Sequence, residues 1–186
     1  MAPLLSIFMT KILGLDVSSA STGHCVINNG RLIKSSLGTI NPDSKKTYGD
    51  RLKYFAQELS VLLKKHKPDK VIIEDIFKGP NVKTLKTLAM FRGVCFLTVF
   101  NEIGQDPICI MPTEARKLVG VGGTSKEDGF NFVIKKYAFS DYEFDKDNDI
   151  TDAIVLGLSC YEMEKQGITE KDLRKKKKKK RRKRKK

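Results

Sequence analysis

The apolar run Ile12-Leu13-Gly14-Leu15 closes on Asp16, after which the chain turns small and polar. A second run, Val71-Ile72-Ile73, closes on Glu74 in the same way. A third acidic pair, Asp149 and Asp152, opens the apolar segment that ends in Leu156-Gly157-Leu158. Three elements far apart in the chain each deliver an acid at an edge of an apolar stretch. That layout suits an α/β fold with a divalent-metal site where its strands end.

The pattern along the chain supports such a fold. Residues 10–17 and 23–28 read as neighbouring strands, and Asn28-Asn29-Gly30 is a hairpin turn because Asn and Gly tolerate positive φ. Residues 31–40 complete three antiparallel strands. From Tyr48 to Lys65, Leu52, Phe55, Leu59, Leu62 and Leu63 recur at helical spacing, and Pro68 ends that helix. Residues 70–73 form a short, nearly continuous apolar strand, as a buried central strand should be. A helix over 82–103, a strand over 108–111, a short helix over 114–118 and a glycine loop over 120–125 follow. Residues 126–137 form a helix, 141–148 an acidic loop, and 149–164 the last helix. The order predicts an α/β fold: a mixed central sheet, three antiparallel strands and then parallel ones, with helices on both faces.

Charge divides the chain in two. The formal net charge is +14, yet residues 171–186 alone hold fourteen Lys or Arg and one Asp, or +13. The other 170 residues carry 22 basic and 21 acidic side chains. The reading is one domain over 1–168 and a disordered polybasic tail over 169–186, since like charges repel and nothing there can be buried. Such a tail binds a polyanion without reading its sequence, nucleic acid before an acidic membrane surface. Cys25, Cys95, Cys109 and Cys160 are scattered among apolar stretches, which points to buried thiols in a reducing cytoplasm and not to a zinc knot or disulfides. The apolar start of the chain is too short for a signal peptide, and no stretch has the length of a membrane span.

Hydrolysis of a phosphodiester in a two-metal site needs cations about 4 Å apart, one activating water and one holding the leaving oxygen. Magnesium favours carboxylates and water, so several acids must meet at one point. Asp16 would bridge both ions, Glu74 would approach from the neighbouring strand, and Asp149 and Asp152, three apart on a helix, would share one face. Each acid alone has a blander reading: a turn residue for Asp16 and Glu74, a helix N-cap for Asp149, a favourable first-turn charge for Asp152. Likewise Phe77 reads as core and Lys126 as an exposed lysine at a helix start.

Taken in order, the motifs resemble RuvC-type Holliday junction resolvases of the RNase H-like nuclease superfamily. The resemblance rests on residues 12–16 with Thr22-Gly23, on 71–78, on Leu88 to Gly93, on Pro112 to Lys117, on Val119 to Lys126, and on Asp149 to Ala153. It implies that Asp16, Glu74, Asp149 and Asp152 hold magnesium, two ions per site with manganese able to substitute. It further implies that Phe77 contacts junction bases and that Lys126 sits near the scissile phosphate. Lys78, Arg92, Arg116 and Lys117 are candidate DNA contacts, and paired nicks in a two-fold junction imply a homodimer acting on branched DNA.

Two departures stand out. The family follows its first Asp with Pro-Gly, where this chain has Val17-Ser18. The polybasic tail has no counterpart in the family pattern and would strengthen binding to any duplex; with the diverged motifs it suggests a bacteriophage member working in the host cytoplasm. The competing readings are an RNase H-like nuclease of broader range (flaps, forks, RNA–DNA hybrids), a noncatalytic DNA-binding module, and an ATP-using protein of the actin-like fold, for which the chain is too short.

Overall fold

The computed structural model describes residues 10–76, 81–123 and 125–173. Its elements are β1 (Lys11–Asp16), β2 (Thr22–Asn28), β3 (Arg31–Leu32), β4 (Gly38–Ile40), α1 (Tyr48–His66), β5 (Lys70–Glu74), α2 (Val82–Ile103), β6 (Ile108–Ile110), α3 (Pro112–Leu118), α4 (Lys126–Tyr137) and α5 (Phe144–Lys165). They form the α/β architecture expected: one mixed sheet in the order β3-β2-β1-β5-β6, with β4 also on β2. β1 runs antiparallel to β2 and parallel to β5, and β5 runs parallel to β6. Among the described residues no helix is long and apolar enough to cross a membrane.

Two expectations need correction. The strand expected over 31–40 is broken by a 3-10 turn at Lys34–Ser36. Ser36 causes the break: its Oγ accepts the Val26 N–H at 2.8 Å and donates to the Ile33 carbonyl at 2.6 Å, so a side chain stands where a ladder bond would be. The last helix begins at Phe144, not Asp149. Its first turn is mostly polar and shows no apolar period, but Phe144 packs edge-on against Phe130 at 5.4 Å and Asp147 accepts the Glu143 N–H at 2.8 Å. The Asn29-Gly30 turn has φ of 50° and 75°, the positive pair that a tight hairpin needs.

Alternation along the strands divides the core. Ile12, Cys25, Ile27 and Ile72 pack toward α3, α4 and α5. Leu13, Leu15, Val26, Val71 and Ile73 pack toward α1 and α2 with Phe55, Leu59, Phe91 and Val99. Because side chains alternate with period two, Asp16 falls on the same face as Ile12 and Glu74 on the same face as Ile72. Both acids therefore face α5. That helix lies close on the sheet: a methyl on Gly14 would overlap the Ala153 carbonyl, and one on Gly23 the Asp149 carbonyl. A Cβ on Gly157 would lie 2.7 Å from Ile27 Cγ1.

Candidate metal centre

β1 and β5 are parallel neighbours, so their C-terminal ends, Asp16 and Glu74, emerge at the same edge of the sheet. The N-terminal half of α5 passes over that edge and contributes Asp149 and Asp152. Asp16, Glu74 and Asp149 line a cleft of about 320 Å³ together with Lys126 and Arg92. Asp152 lies beside Glu74 and Arg116 in a small adjoining recess. Asp149 is thus an interior helix residue and not an N-cap.

The electrostatics fit one shared site. Burial pushes the Asp16 carboxyl up to about 8; the Lys126 ammonium opposes that, while Asp152, Glu74 and Asp149 add to it. Glu74 is raised by burial and by Asp152, against Lys126, Arg116 and Arg92. The Lys126 ammonium lies 3.0 Å from Asp152 Oδ2 and 3.9 Å from Asp16 Oδ2. Burial disfavours its charge, but Asp16 and Asp152 outweigh that and its basicity is raised. A cation at the start of α4 thus links Asp152 on α5 to Asp16 at the end of β1, and Ser125 and Asp128 start that helix with a reciprocal cap.

Among the described residues no three acids, thiols or imidazoles are closed around a point in the manner of a metal site. The chemistry of the donor set nonetheless fits a hard divalent cation. It consists of carboxylate oxygens, they repel one another, and a positive group already lies between two of them. Asp152 Oδ2 is buried and accepts no well-directed hydrogen bond, although it faces that ammonium.

The remaining candidates are placed unevenly. Phe77 and Lys78 lie outside the described residues. Lys117 is exposed on α3. Arg116 is not the surface contact its type suggests: it is 5% exposed, and its guanidinium meets Asp152 Oδ1 at 3.3 Å. Helix α3 turns it inward, where Gly129 leaves room beside its Nε. Arg92 is half-buried, donating to the Glu74 carbonyl and lying 3.2 Å from Asp75 Oδ1 and 2.9 Å from Cys109 Sγ. It ties α2 to the end of β5. Sequence reading missed these inward roles, and it missed Arg51, whose guanidinium donates to the Ser19 carbonyl at 2.6 Å and braces the turn after Asp16. The available signal was an arginine set among apolar helix positions, as at Ala115-Arg116 and Phe91-Arg92.

Residues 12–160 match the family model for crossover junction endodeoxyribonuclease RuvC. The chain belongs to the RuvC family. Within the RNase H-like superfamily it is thus an enzyme of the endodeoxyribonuclease type. A RuvC of Campylobacter curvus is 34% identical over 153 residues, covering 80% of this chain and 94% of that protein. A RuvC of Aliarcobacter butzleri is 31% identical over 150 residues, covering 80% and 96%. In fold, the chain superposes on Thermus thermophilus RuvC, solved in complex with a Holliday junction substrate, with a TM-score of 0.72 at 14% identity, covering 85% of this chain and 96% of that one. The yeast mitochondrial Holliday junction resolvase gives a TM-score of 0.60 at 13% identity, covering 85% and 80%.

Proposed function

We propose that this RuvC-family protein resolves four-way and other branched DNA by paired, metal-dependent nicks. The observation that carries the reading is the meeting of Asp16, Glu74, Asp149 and Asp152 at one sheet edge, around the Lys126 ammonium, in a chain of this family. Asp16, Glu74, Asp149 and Asp152 would hold magnesium, two ions per site, with manganese as a substitute. When bound, the cations would lower the pKa of the attacking water, so that it gives up its proton to solvent as it attacks phosphorus, and would place positive charge at the leaving oxygen.

The chain's own residues do the rest. Lys126 releases the carboxylates and turns its ammonium toward the phosphate, where it balances the charge that builds up during in-line attack by water. The products are 5′-phosphate and 3′-hydroxyl ends. Arg116 holds Asp152 in register, and Arg92 holds the end of β5 so that Glu74 faces the cleft. Phe77 and Lys78, next after the cleft wall in sequence, and the exposed Lys117 are the proposed DNA contacts.

Two symmetric nicks need two such clefts. A homodimer is supported by the outward stripe on α2, where Val82, Met90, Leu97 and Phe100 are exposed, Leu97 by 62%. The test is a labelled synthetic junction titrated with magnesium or manganese. Paired symmetric nicks, lost in Asp16→Asn while binding survives, support the reading. Failure to cleave any branched DNA at any metal concentration contradicts it. Equal cleavage of flaps and hybrids would favour the broader nuclease.

A further inference from the structure

The five residues between β1 and β2, Val17 to Ser21, continue from Asp16 along the wall of the cleft, where Val17, Ser18 and Ser19 line it beside the acid. No helix or strand holds this turn, and three side chains do so instead. Thr22, fully buried, accepts the Ser18 N–H with its Oγ1 at 3.1 Å and donates the same hydroxyl to the Ser18 carbonyl at 3.0 Å. Ser18 Oγ accepts the Ala20 N–H at 3.2 Å. From α1, Arg51 donates to the Ser19 carbonyl at 2.6 Å.

Packing alone does not ask for an arginine at 51. Its guanidinium carbon lies 5.6 Å from the ring centroids of both Tyr48 and Phe91, and Phe91 is fully buried. Its Nε is buried and has no hydrogen-bond partner among the described residues. A methionine would fill the same space without stranding an N–H. What the arginine adds is a charge-assisted bond to one carbonyl of the cleft wall.

These bonds leave two donors uncommitted. In a trans peptide unit the N–H and the C=O point opposite ways. Thr22 takes the Ser18 carbonyl, so the N–H of the same unit, which belongs to Ser19, points out of the turn. Among the described residues neither that N–H nor the Ser19 hydroxyl meets an acceptor. A backbone N–H and a hydroxyl on one half-buried residue of a cleft wall suit a phosphate oxygen. The second pocket that Arg51 lines suits an anion less, because Asp43 and Asp50 stand in it with Lys46.

We propose that Ser19 is a phosphate-binding residue of the cleft, its N–H and hydroxyl holding the phosphate next to the scissile one on the cleaved strand, and that Arg51 is the positioning residue that keeps the turn in the shape this needs. The proposal rests on the reading of the cleft as a DNA-cleaving site. The neighbouring phosphate is chosen because Lys126 already serves the scissile one, and because Ser19 lies three residues past Asp16 along the wall. Such a contact reads no sequence; it sets the register of the strand over the carboxylates.

The experiment uses the full chain and four-way junctions with one methylphosphonate, which removes the charge of one phosphate, on either side of the scissile phosphate. Single-turnover cleavage is followed at saturating protein, so that lost affinity does not enter the rate. In the wild type, one of the two modified junctions should be cut about tenfold more slowly than the unmodified one. Ser19→Ala should slow the unmodified junction about tenfold, and the sensitive methylphosphonate should then add no more than about threefold. Arg51→Met should slow cleavage about thirtyfold and lose the same sensitivity. Arg51→Lys should recover to within about threefold of the wild type, because one carbonyl asks for one donor. The two Arg51 variants should melt within about 4 °C of each other. Full additivity of Ser19→Ala with both methylphosphonates, an unchanged rate in Ser19→Ala, or Arg51→Lys no faster than Arg51→Met would overturn the proposal. So would rates in the Arg51 variants that simply follow their melting temperatures. A wild type that cuts no DNA would overturn the nuclease reading and this proposal with it, whereas an active wild type with any of those results overturns the proposal alone.

Discussion

On the α5 face of the sheet, backbone rests on backbone at Gly14 and Gly23, and Gly157 leaves the helix bare where the Ile27 and Cys25 side chains reach it. On the α1–α2 face, contact is made through long side chains, with Phe55 and Phe91 edge to face at 5.5 Å among Leu59, Leu63 and Val99. The carboxylates of the cleft belong to the first face. A helix seated on glycines has little slack, so Asp149 and Asp152 are held at fixed height over Asp16 and Glu74. A face of interleaved side chains can repack at modest cost, and it is the one whose outer helix exposes Leu97 and Phe100. The difference teaches that close approach here serves placement of charge, while the more forgiving packing serves the core and an outer surface.

The largest effect should come from the charge itself. Asp16→Asn should lower cleavage by about a thousandfold or more, read by single-turnover kinetics. The same change should stabilise the protein in chelator above pH 8. Burial pushes the Asp16 carboxyl up to about 8 in the fold from an ordinary value of 3.8, so the folded state binds the extra proton between those values. Metal-free stability therefore falls as pH rises through that window, and the amide escapes the penalty, by about 1–3 kcal/mol. Cleavage at limiting magnesium should rise with pH toward about 8, and the rise should move to lower pH as magnesium increases, because metal and proton compete for one carboxylate.

Gly14→Ala tests the seating of α5. It should cost about 3 kcal/mol or more in urea unfolding, since the methyl meets helix backbone and no flexible side chain can give way. Arg116→Met comes next: breaking a buried pair should cost about 3 kcal/mol and lower cleavage more than junction affinity, because Asp152 loses its partner and DNA loses none. At the bottom of the scale, Gly49→Ala in the first turn of α1 should stabilise by about 0.5 kcal/mol, as the added methyl meets nothing nearer than Thr47 Oγ1 at 3.8 Å. A larger cost at Gly49 than at Gly14 would reverse the contrast between the faces.

What could be read from the chain beforehand followed from period and termini. Apolar runs closing on Asp16 and Glu74 placed both acids at strand ends, and the turn at Asn29-Gly30 set the register of β1 against β2. Other features depend on partners distant in sequence. Phe144 continues α5 backward only because Phe130 is there to receive it. Arg116 turns inward because Asp152 waits 36 residues on. Ser36 breaks a strand because Val26 offers it an N–H. Leu173, 7% exposed in the α5-side core although the tail was expected to start at 169, follows Glu170-Lys171-Asp172 and gave no periodic signal at all.

The most direct test of the central claim is a manganese-soaked crystal measured at an anomalous wavelength. Two anomalous peaks about 4 Å apart, between the Asp16 and Glu74 carboxylates and beneath Asp149 and Asp152, with Lys126 swung clear, are the expected result. Lys126 still resting against Asp152, and no peak within reach of Asp16 at millimolar manganese, would contradict it.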